Sequence, residues 1–218
     1  MTMTAPDVRA DGSAAPEPAV LLKRRTIDSV LIAGGAVLAV ALLVAGALLT
    51  WGANFADDYV GDELSSQNIT FPPTEALVEE GRDDLAEYGG AFVDTGKEAE
   101  AYASFIDGHL QGIADGATYA DLGTPERAAN AAVEAAKADG TDAATLAELE
   151  AEAAAISGQR NTLFKGETLR GLLLTAYAWA TVGTIAGYAA MAAFAAGAVM
   201  VVLVLLGLRH HHKVVQQA

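Results

Sequence analysis

Residues 29–56 read SVLIAGGAVLAVALLVAGALLTWGANFA and residues 171–208 read GLLLTAYAWATVGTIAGYAAMAAFAAGAVMVVLVLLGL; neither stretch contains Asp, Glu, Lys, Arg or His. Each is longer than the roughly 20 apolar residues with which a helix crosses a bilayer. Residues 57–170, between them, carry 24 acidic and 7 basic side chains, a net charge of −17. The pattern predicts an all-α protein, a two-span transmembrane helical hairpin whose long helices extend into an acidic extracytoplasmic helical domain.

Basic residues flank the two uncharged stretches on the sides nearest the chain ends. They are Lys23, Arg24 and Arg25 before the first stretch, and Arg209 and Lys213 after the second. Because Lys and Arg near span ends favour the cytoplasmic side, we expect a multi-pass plasma-membrane protein with both termini cytoplasmic. Residues 1–28 are then a disordered N-terminal lead and residues 209–218 a cytoplasmic tail.

The first stretch also resembles a cleavable signal peptide, with Ala45-Gly46-Ala47 as a passable cleavage site. The apolar run continues past that site to Ala56, which favours a retained span. Helical spacing persists further, so we expect one helix from about Val30 to about Gln67, ended by Pro72 and Pro73.

The second stretch is too long for the bilayer. As a helix its 38 residues measure about 57 Å, nearly twice a hydrocarbon core of ~30 Å. Residues 171–181 are therefore expected to extend outward and to be buried against protein. Aligning Arg25 with Arg209 at the inner face places Trp51 level with Gly183. An aromatic interface belt is then expected near that level, formed by Trp51, Tyr177, Trp179 and Tyr188.

The acidic segment contains three helix patterns. Thr95 and Glu98 have the spacing of a capping box. The helix that follows carries an apolar face of Tyr102, Phe105, Ile106, His109, Leu110 and Ile113. Thr124-Pro125-Glu126 begins a second helix that ends at Gly140, and a third follows Asp142 and is expected to break near Gly158.

His109 is the one histidine outside the C-terminal tail. It is either a metal ligand or general base, or a semi-buried histidine on the core-facing stripe. A catalytic zinc site needs three protein ligands and no second histidine lies within helical reach, so the structural role is favoured. The sequence predicts no cofactor and no catalytic residue.

Other polar motifs are weaker. The acidic pairs Asp57-Asp58 and Glu79-Glu80 lack the spacing of a calcium loop, so they predict only general cation screening. The tract His210-His211-His212 fits a juxtamembrane basic cluster. Asn68-Ile69-Thr70 matches the N-glycosylation pattern.

The net charge and the small residues of the two spans indicate which partners the chain can bind. A net charge of −15 disfavours nucleic acid and anionic headgroups. The absence of ionisable residues from both spans argues against transport. Small residues that permit close helix packing are Gly34, Gly35, Gly183, Gly187 and Gly197. Their partner is the other span, a second copy or another membrane protein.

Short motifs between the spans suggest a family. They are Gln67-Asn68-Ile69-Thr70-Phe71, Thr118-Tyr119-Ala120-Asp121-Leu122 and Leu163-Phe164-Lys165-Gly166-Glu167-Thr168-Leu169-Arg170-Gly171, with Tyr102 and His109. Over Ser29–Leu208 the chain resembles an uncharacterised family of actinobacterial two-span membrane proteins. Members of this family sometimes carry the label aromatic ring-opening dioxygenase. Non-haem iron oxygenases need two histidines and a carboxylate at the metal, so the resemblance implies location and architecture rather than that activity.

The sequence favours a non-enzymatic accessory or scaffold protein of the cell envelope. The first alternative is an extracytoplasmic ligand-sensing module that acts through a partner. The second alternative is an enzyme that uses His109 as an acid or base.

Overall fold

A computed structural model describes the backbone of residues 18–216 and the side chains of residues 26–212. The fold is all-α, as predicted. Within the described residues the α-helices are α1 (Pro18–Ser66), α2 (Thr74–Glu79), α3 (Gly96–Gln111), α4 (Gly123–Ala138) and α5 (Ala143–Gln216). Short 3₁₀ helices lie at Asp83–Tyr88 and Ala114–Gly116, and one isolated antiparallel bridge joins Thr70 to Phe92.

The chain divides into two compact units. One, the helix-pair unit, consists of residues 1–48 and 189–218, and the other, the central unit, is Leu49–Tyr188. In the helix-pair unit, residues 29–48 of α1 and 189–208 of α5 are free of charge. Each of these segments has 20 residues, about 30 Å of helix, which matches a hydrocarbon core. Helices α1 and α5 are therefore long and apolar enough to cross a membrane, which indicates a membrane protein.

Helix α1 begins earlier than the sequence indicated. It starts at Pro18, so residues 18–28 are helical and the expected disordered lead is wrong over that part; residues 1–17 lie outside the described residues. The physical reason is that proline suits the first helical turn and residues 19–28 contain no glycine or proline. The predicted end near Gln67 is confirmed, because α1 stops at Ser66 and Asn68 has φ +52°.

Helix α5 is continuous over 74 residues, so the expected break near Gly158 is wrong. Gly158 lies on the exposed side of the helix, and a Cβ there would meet nothing within 4 Å. A single glycine costs a helix only about 1 kcal/mol, which the surrounding alanines and the packing on both sides offset. The start after Asp142 is confirmed, since its carboxylate accepts hydrogen bonds from the N–H groups of Ala144 and Thr145, each at 3.1 Å.

The core of the central unit lies where α1, α2, α3 and α5 meet. Its buried side chains are Val60, Leu64, Phe71, Leu77, Leu85, Val93, Ala99, Ala101, Ala103 and Leu173. The Phe71 ring stacks on Tyr88 at 5.3 Å and meets Tyr102 edge-on at 5.0 Å. The capping box of α3 is confirmed: the Thr95 hydroxyl accepts from the Glu98 N–H at 3.3 Å, and the Glu98 carboxylate accepts from the Thr95 N–H at 2.9 Å.

The most deeply buried face of α3 carries Gly96, Ala99 and Ala103 together with Leu110, one of the large residues of the predicted stripe. Ala99, Ala101 and Ala103 are buried, whereas Tyr102 and Phe105 are half-buried. The cause is close packing on α5: a Cβ on Gly96 would overlap the Ala180 Cβ. Helix axes this close leave room only for small side chains between them.

The apolar segment of α5 in the central unit has two different sides. Leu173 is 2% exposed, and Ala176 and Ala180 pack against the core. Leu172 and Trp179 are 64% and 59% exposed. The expectation that residues 171–181 are buried against protein is therefore right for one side of the helix and wrong for the other.

Candidate functional site

His109 does not face the core. Its side chain is 55% exposed, near the C-terminal end of α3. Nδ1 lies 3.1 Å from the Phe105 carbonyl oxygen, Nε2 lies 3.6 Å from a carboxylate oxygen of Glu80, and the ring meets Phe105 edge-on. The predicted semi-buried position is wrong because His109 lies about 110° around the helix from the buried face that holds Ala99, Ala103 and Leu110.

A hollow of about 250 Å³ lies beside His109, lined by Glu80, Arg82, Gly108 and His109. Arg82 is already engaged there. Its guanidinium donates two hydrogen bonds to Asp84, at 3.0 and 2.9 Å, and two more to the carbonyl and hydroxyl of Ser104. The hydrogen bond with Asp84 raises the pKa of Arg82 and lowers the pKa of Asp84. The groups left for chemistry are one imidazole and one carboxylate.

A second and larger concavity, the Asp107 cleft, has a volume of about 460 Å³. Buried Leu110 and Leu163 form its apolar floor, and Asp107, Gln111 and Glu167 stand at its rim. Its volume lies in the range of small-molecule sites, which combine apolar walls with a few polar groups. No local pattern in the sequence indicates this cleft, because its residues come from α3, the following loop and α5.

An ion network holds the polar side of the Asp107 cleft. Arg170 Nε lies 3.4 Å from Asp107 Oδ1, and Arg170 Nη1 lies 3.2 Å from Glu167 Oε2. The Gln111 amide donates to the other Asp107 oxygen at 2.8 Å. Two carboxylates therefore share one guanidinium, which leaves this rim with an excess negative charge. Such a rim suits a ligand with an amine or another cationic group.

Arg160 holds Tyr119, which lines another part of the Asp107 cleft. Its guanidinium lies 4.0 Å from the centre of the Tyr119 ring, its Nε donates to the Tyr119 carbonyl at 3.3 Å, and its Nη1 pairs with Glu126 at 2.5 Å. Hydrogen bonds from Ser157 and Arg160 lower the pKa of Glu126. Sequence reasoning missed Arg160, since a lone arginine on a charged helix carries no pattern.

The loop that enters the cleft is strained. Ala114 and Asp115 have φ of +49° and +56°, next to Gly116 at +82°. Left-handed conformations cost about 1–2 kcal/mol for each residue with a Cβ. Beyond the turn, the Thr118 hydroxyl and N–H donate to Asp121, and the side-chain bond is the larger cause of the lowered pKa of that carboxylate.

Among the residues whose side chains are described, no three His, Asp or Glu lie together as a metal site. The predicted acidic pair Asp57-Asp58 is exposed on α1. His210–His212 belong to the helix-pair unit, where Asp28 and His210 line an otherwise apolar groove of about 250 Å³. Arg209 is exposed; the side chains of Lys23, Arg24, Arg25 and Lys213 lie outside the described residues.

Most of the predicted small residues do lie at close helix contacts. In the helix-pair unit, a Cβ on Gly35 would lie 3.0 Å from Val204, and one on Gly197 would lie 3.0 Å from Leu43. A Cβ on Gly34 would meet nothing within 4 Å, so Gly34 does not contact the other helix of this chain, and its packing against a second copy or another protein stays a prediction. Adjacent helical residues point about 100° apart, so Gly34 and Gly35 face different directions.

In the central unit, Gly183 and Gly187 face α1. A Cβ on Gly183 would lie 3.1 Å from the Ala56 Cβ, and one on Gly187 would lie 3.9 Å from the Ala53 Cβ. Gly183 is thus level with Ala56, five residues beyond Trp51, and the predicted alignment is wrong by about 7 Å. The reason is that close contacts between small residues set the register, not the heights of the terminal charges.

The aromatic residues of the expected belt are all in the central unit. Trp51, Trp179 and Tyr188 are 69%, 59% and 66% exposed, and Tyr177 is half-buried. Trp51, Phe55 and Tyr59 form a stack along α1. The centre of the Phe55 ring lies 5.8 Å from that of Trp51 and 6.0 Å from that of Tyr59. These rings give the central unit an exposed apolar surface in addition to the concavities beside His109 and Asp107.

Comparisons of the chain with protein-family models, curated proteins and solved structures found no match. Function is therefore inferred from the chain itself.

Proposed function

We propose that this chain is an integral plasma-membrane protein with two spans and both termini in the cytoplasm, and that it acts as a non-enzymatic accessory or scaffold protein of the cell envelope. Its acidic central unit lies outside the cytoplasm and engages other proteins. The basic flanks of the two spans support the orientation, as does the resemblance to actinobacterial two-span proteins.

One observation carries the scaffold role. Residues 171–188 of α5 are uncharged and apolar on every side, yet only the side with Leu173 is covered. A helix that is apolar all round is normally buried. Exposed apolar surface beyond the membrane is characteristic of protein–protein contact sites. The central unit therefore presents a surface that suits a docked protein.

The arginines of the central unit also support a structural role, because they are used to join its helices. Arg82 joins the 3₁₀ helix to α3, Arg160 joins α5 to α4, and Arg170 joins α5 to α3. These contacts use the guanidinium groups to hold elements together. Arginine is well suited to this because its planar group donates in several directions at once.

The orientation is tested by cysteine labelling, since the chain has no native cysteine. Glu100 and His212 are both exposed, one in each unit. We expect a membrane-impermeant maleimide to label Glu100→Cys on intact cells and His212→Cys only after permeabilisation. The reverse order would refute the topology, and release of the protein by alkaline carbonate would refute membrane integration.

The accessory role is tested by cross-linking in intact membranes followed by purification in mild detergent. A reproducible envelope protein that co-purifies with the wild-type chain is the expected result. A chain recovered without another envelope protein, whether as a monomer or as a dimer of itself, would refute the role.

The Asp107 cleft favours a second candidate, a ligand-sensing module that acts through a partner. Its acidic rim and apolar floor suit small amines with an apolar body. Thermal-shift screening with such amines and with Ca²⁺ tests it, with Glu167→Gln as the control that removes one rim charge. A flat response in the wild-type protein would exclude sensing at this cleft.

A further inference from the structure

The exposed side of α5 in the central unit has a regular seam. We call it the α5 seam; its residues are Gly171, Thr175, Ala178, Val182 and Ile185, and all five are exposed. Their spacing alternates between four and three, which places them in one line along a helix that packs against another helix. Apolar residues flank the seam on both sides: Leu172, Leu174, Trp179 and Tyr188.

The middle of the α5 seam is a groove. It has a volume of about 310 Å³ and is lined by Leu174, Thr175, Ala178, Trp179 and Val182. The small side chains of Thr175 and Ala178 form its floor, and the larger ones form its walls. Small residues between larger ones allow a second helix to approach closely.

Lipid does not explain this groove. The first turn of α3 lies against α5 at the same height, because a Cβ on Gly96 would overlap the Ala180 Cβ and lie 3.4 Å from the Tyr177 Cα. Lys97 and Glu100 follow directly and are exposed. Charged, solvated side chains at the height of Tyr177 and Ala180 place this part of α5 in water rather than in hydrocarbon.

The acidic part of the central unit lies on the other side of α5. Leu173, Ala176 and Ala180 face the core. At 100° per residue, their mean direction is about 170° from that of the α5 seam. The seam itself is uncharged although the chain has a net charge of −15. Two copies that meet at the seam would keep their acidic helices apart, with α5 of each copy between them.

We propose that a second copy of this chain docks on the α5 seam to form a parallel two-fold dimer. The inference rests on the proposed membrane anchorage, which holds every copy in the same orientation and at the same height. Each seam then meets its own equivalent, as an isologous contact requires. The dimer covers the exposed apolar side of α5 without bringing like charges together.

Disulfide cross-linking tests the dimer directly. Thr175 and Thr184 are a matched pair, because both are exposed on α5 and both donate their hydroxyl to the carbonyl four residues earlier. Thr184 points about 140° away from the α5 seam. In oxidised membranes we expect Thr175→Cys to migrate mainly as a dimer and Thr184→Cys as a monomer. Equal cross-linking of the two variants, or none at Thr175, would overturn the proposal.

The mass in mild detergent is the second measurement. We expect the wild-type protein to have twice the 22.3 kDa chain mass and Ala178→Glu to have the mass of one chain. Ala178 is exposed, so the glutamate does not enter the core of the monomer. A monomeric wild type or a dimeric Ala178→Glu would overturn the dimer. Membrane extraction and partner capture test the proposed function separately, so each can fail without the other.

Discussion

The close contact of Gly96 on α3 with α5 allows a sharp stability test. A Cβ added to Gly96, the first residue of α3, would overlap the Cβ of Ala180 on α5. It would also lie 3.4 Å from the Tyr177 Cα and 3.6 Å from the Ala176 carbonyl oxygen. None of these atoms belongs to a flexible side chain. Gly96→Ala therefore forces α3 away from α5.

Overpacking of a well-packed core costs about 1–3 kcal/mol. For a protein of this size each kcal/mol changes the melting temperature by about 2–4 °C. We therefore expect Gly96→Ala to lower the melting temperature by roughly 2–12 °C. The gain in helix propensity is small at the first position of a helix and does not offset this.

Gly158→Ala is the matched control, because it makes the same chemical change where a Cβ meets nothing within 4 Å. If α5 runs through Gly158, alanine there stabilises the protein by about 0.5–1 kcal/mol. Thermal unfolding of the full chain in detergent, followed by circular dichroism, measures both. Combining Gly96→Ala with Ala180→Gly should recover part of the loss. A destabilised Gly158→Ala, or an unchanged Gly96→Ala, would refute the packing.

Three further predictions concern the central unit. Leu77 is fully buried, so Leu77→Ala should lower the free energy of unfolding by about 2–5 kcal/mol, while the neighbouring Val78→Ala, at an exposed site, should lower it far less in the same denaturant titration. The pKa of Glu126 is lowered from its ordinary 4.5, so its stabilising contribution is complete above pH 4.5 and is lost as pH falls through the lower, folded pKa. The difference in melting temperature between wild type and Glu126→Gln should accordingly be largest above pH 4.5 and shrink in acid; a constant difference would contradict it. His109→Ala should leave the melting temperature nearly unchanged because His109 is exposed, and a large loss would show a structural role for this side chain.

The helical class and the starts of α3 and α5 could be predicted because they depend on local chemistry. Thr95 with Glu98, and Asp142 before an alanine-rich run, satisfy the free N–H groups of a helix start within four residues. The two apolar helices could also be predicted from a local signal, because a stretch of 20 residues without charge can be seen directly in the sequence. The end of α1 followed from Pro72 and Pro73, which cannot continue a helix.

Other features could not be predicted because they depend on contacts between distant segments. The register of α1 against α5 is set by Gly183 meeting Ala56, and the chain gives no local sign of which residues will face each other. His109 follows the apolar period of α3 but is exposed, because the contacts of α3 centre on the face that holds Ala99, Ala103 and Leu110. The Asp107 cleft is assembled from segments more than 40 residues apart, so no motif could indicate it.

The length of the uncharged part of α5 links these results to function. A span needs only the 20 residues 189–208, and the preceding 18 residues, 171–188, add about 27 Å of apolar helix within the central unit. One side of that segment is needed to hold the core, because Leu173 is buried there; the other side contributes nothing to the fold of a single copy. Apolar side chains kept in water favour aggregation unless another surface covers them. Charged residues on that side would leave the core intact and improve solubility, so the fold of a single copy does not account for the α5 seam, whereas the proposed dimer does.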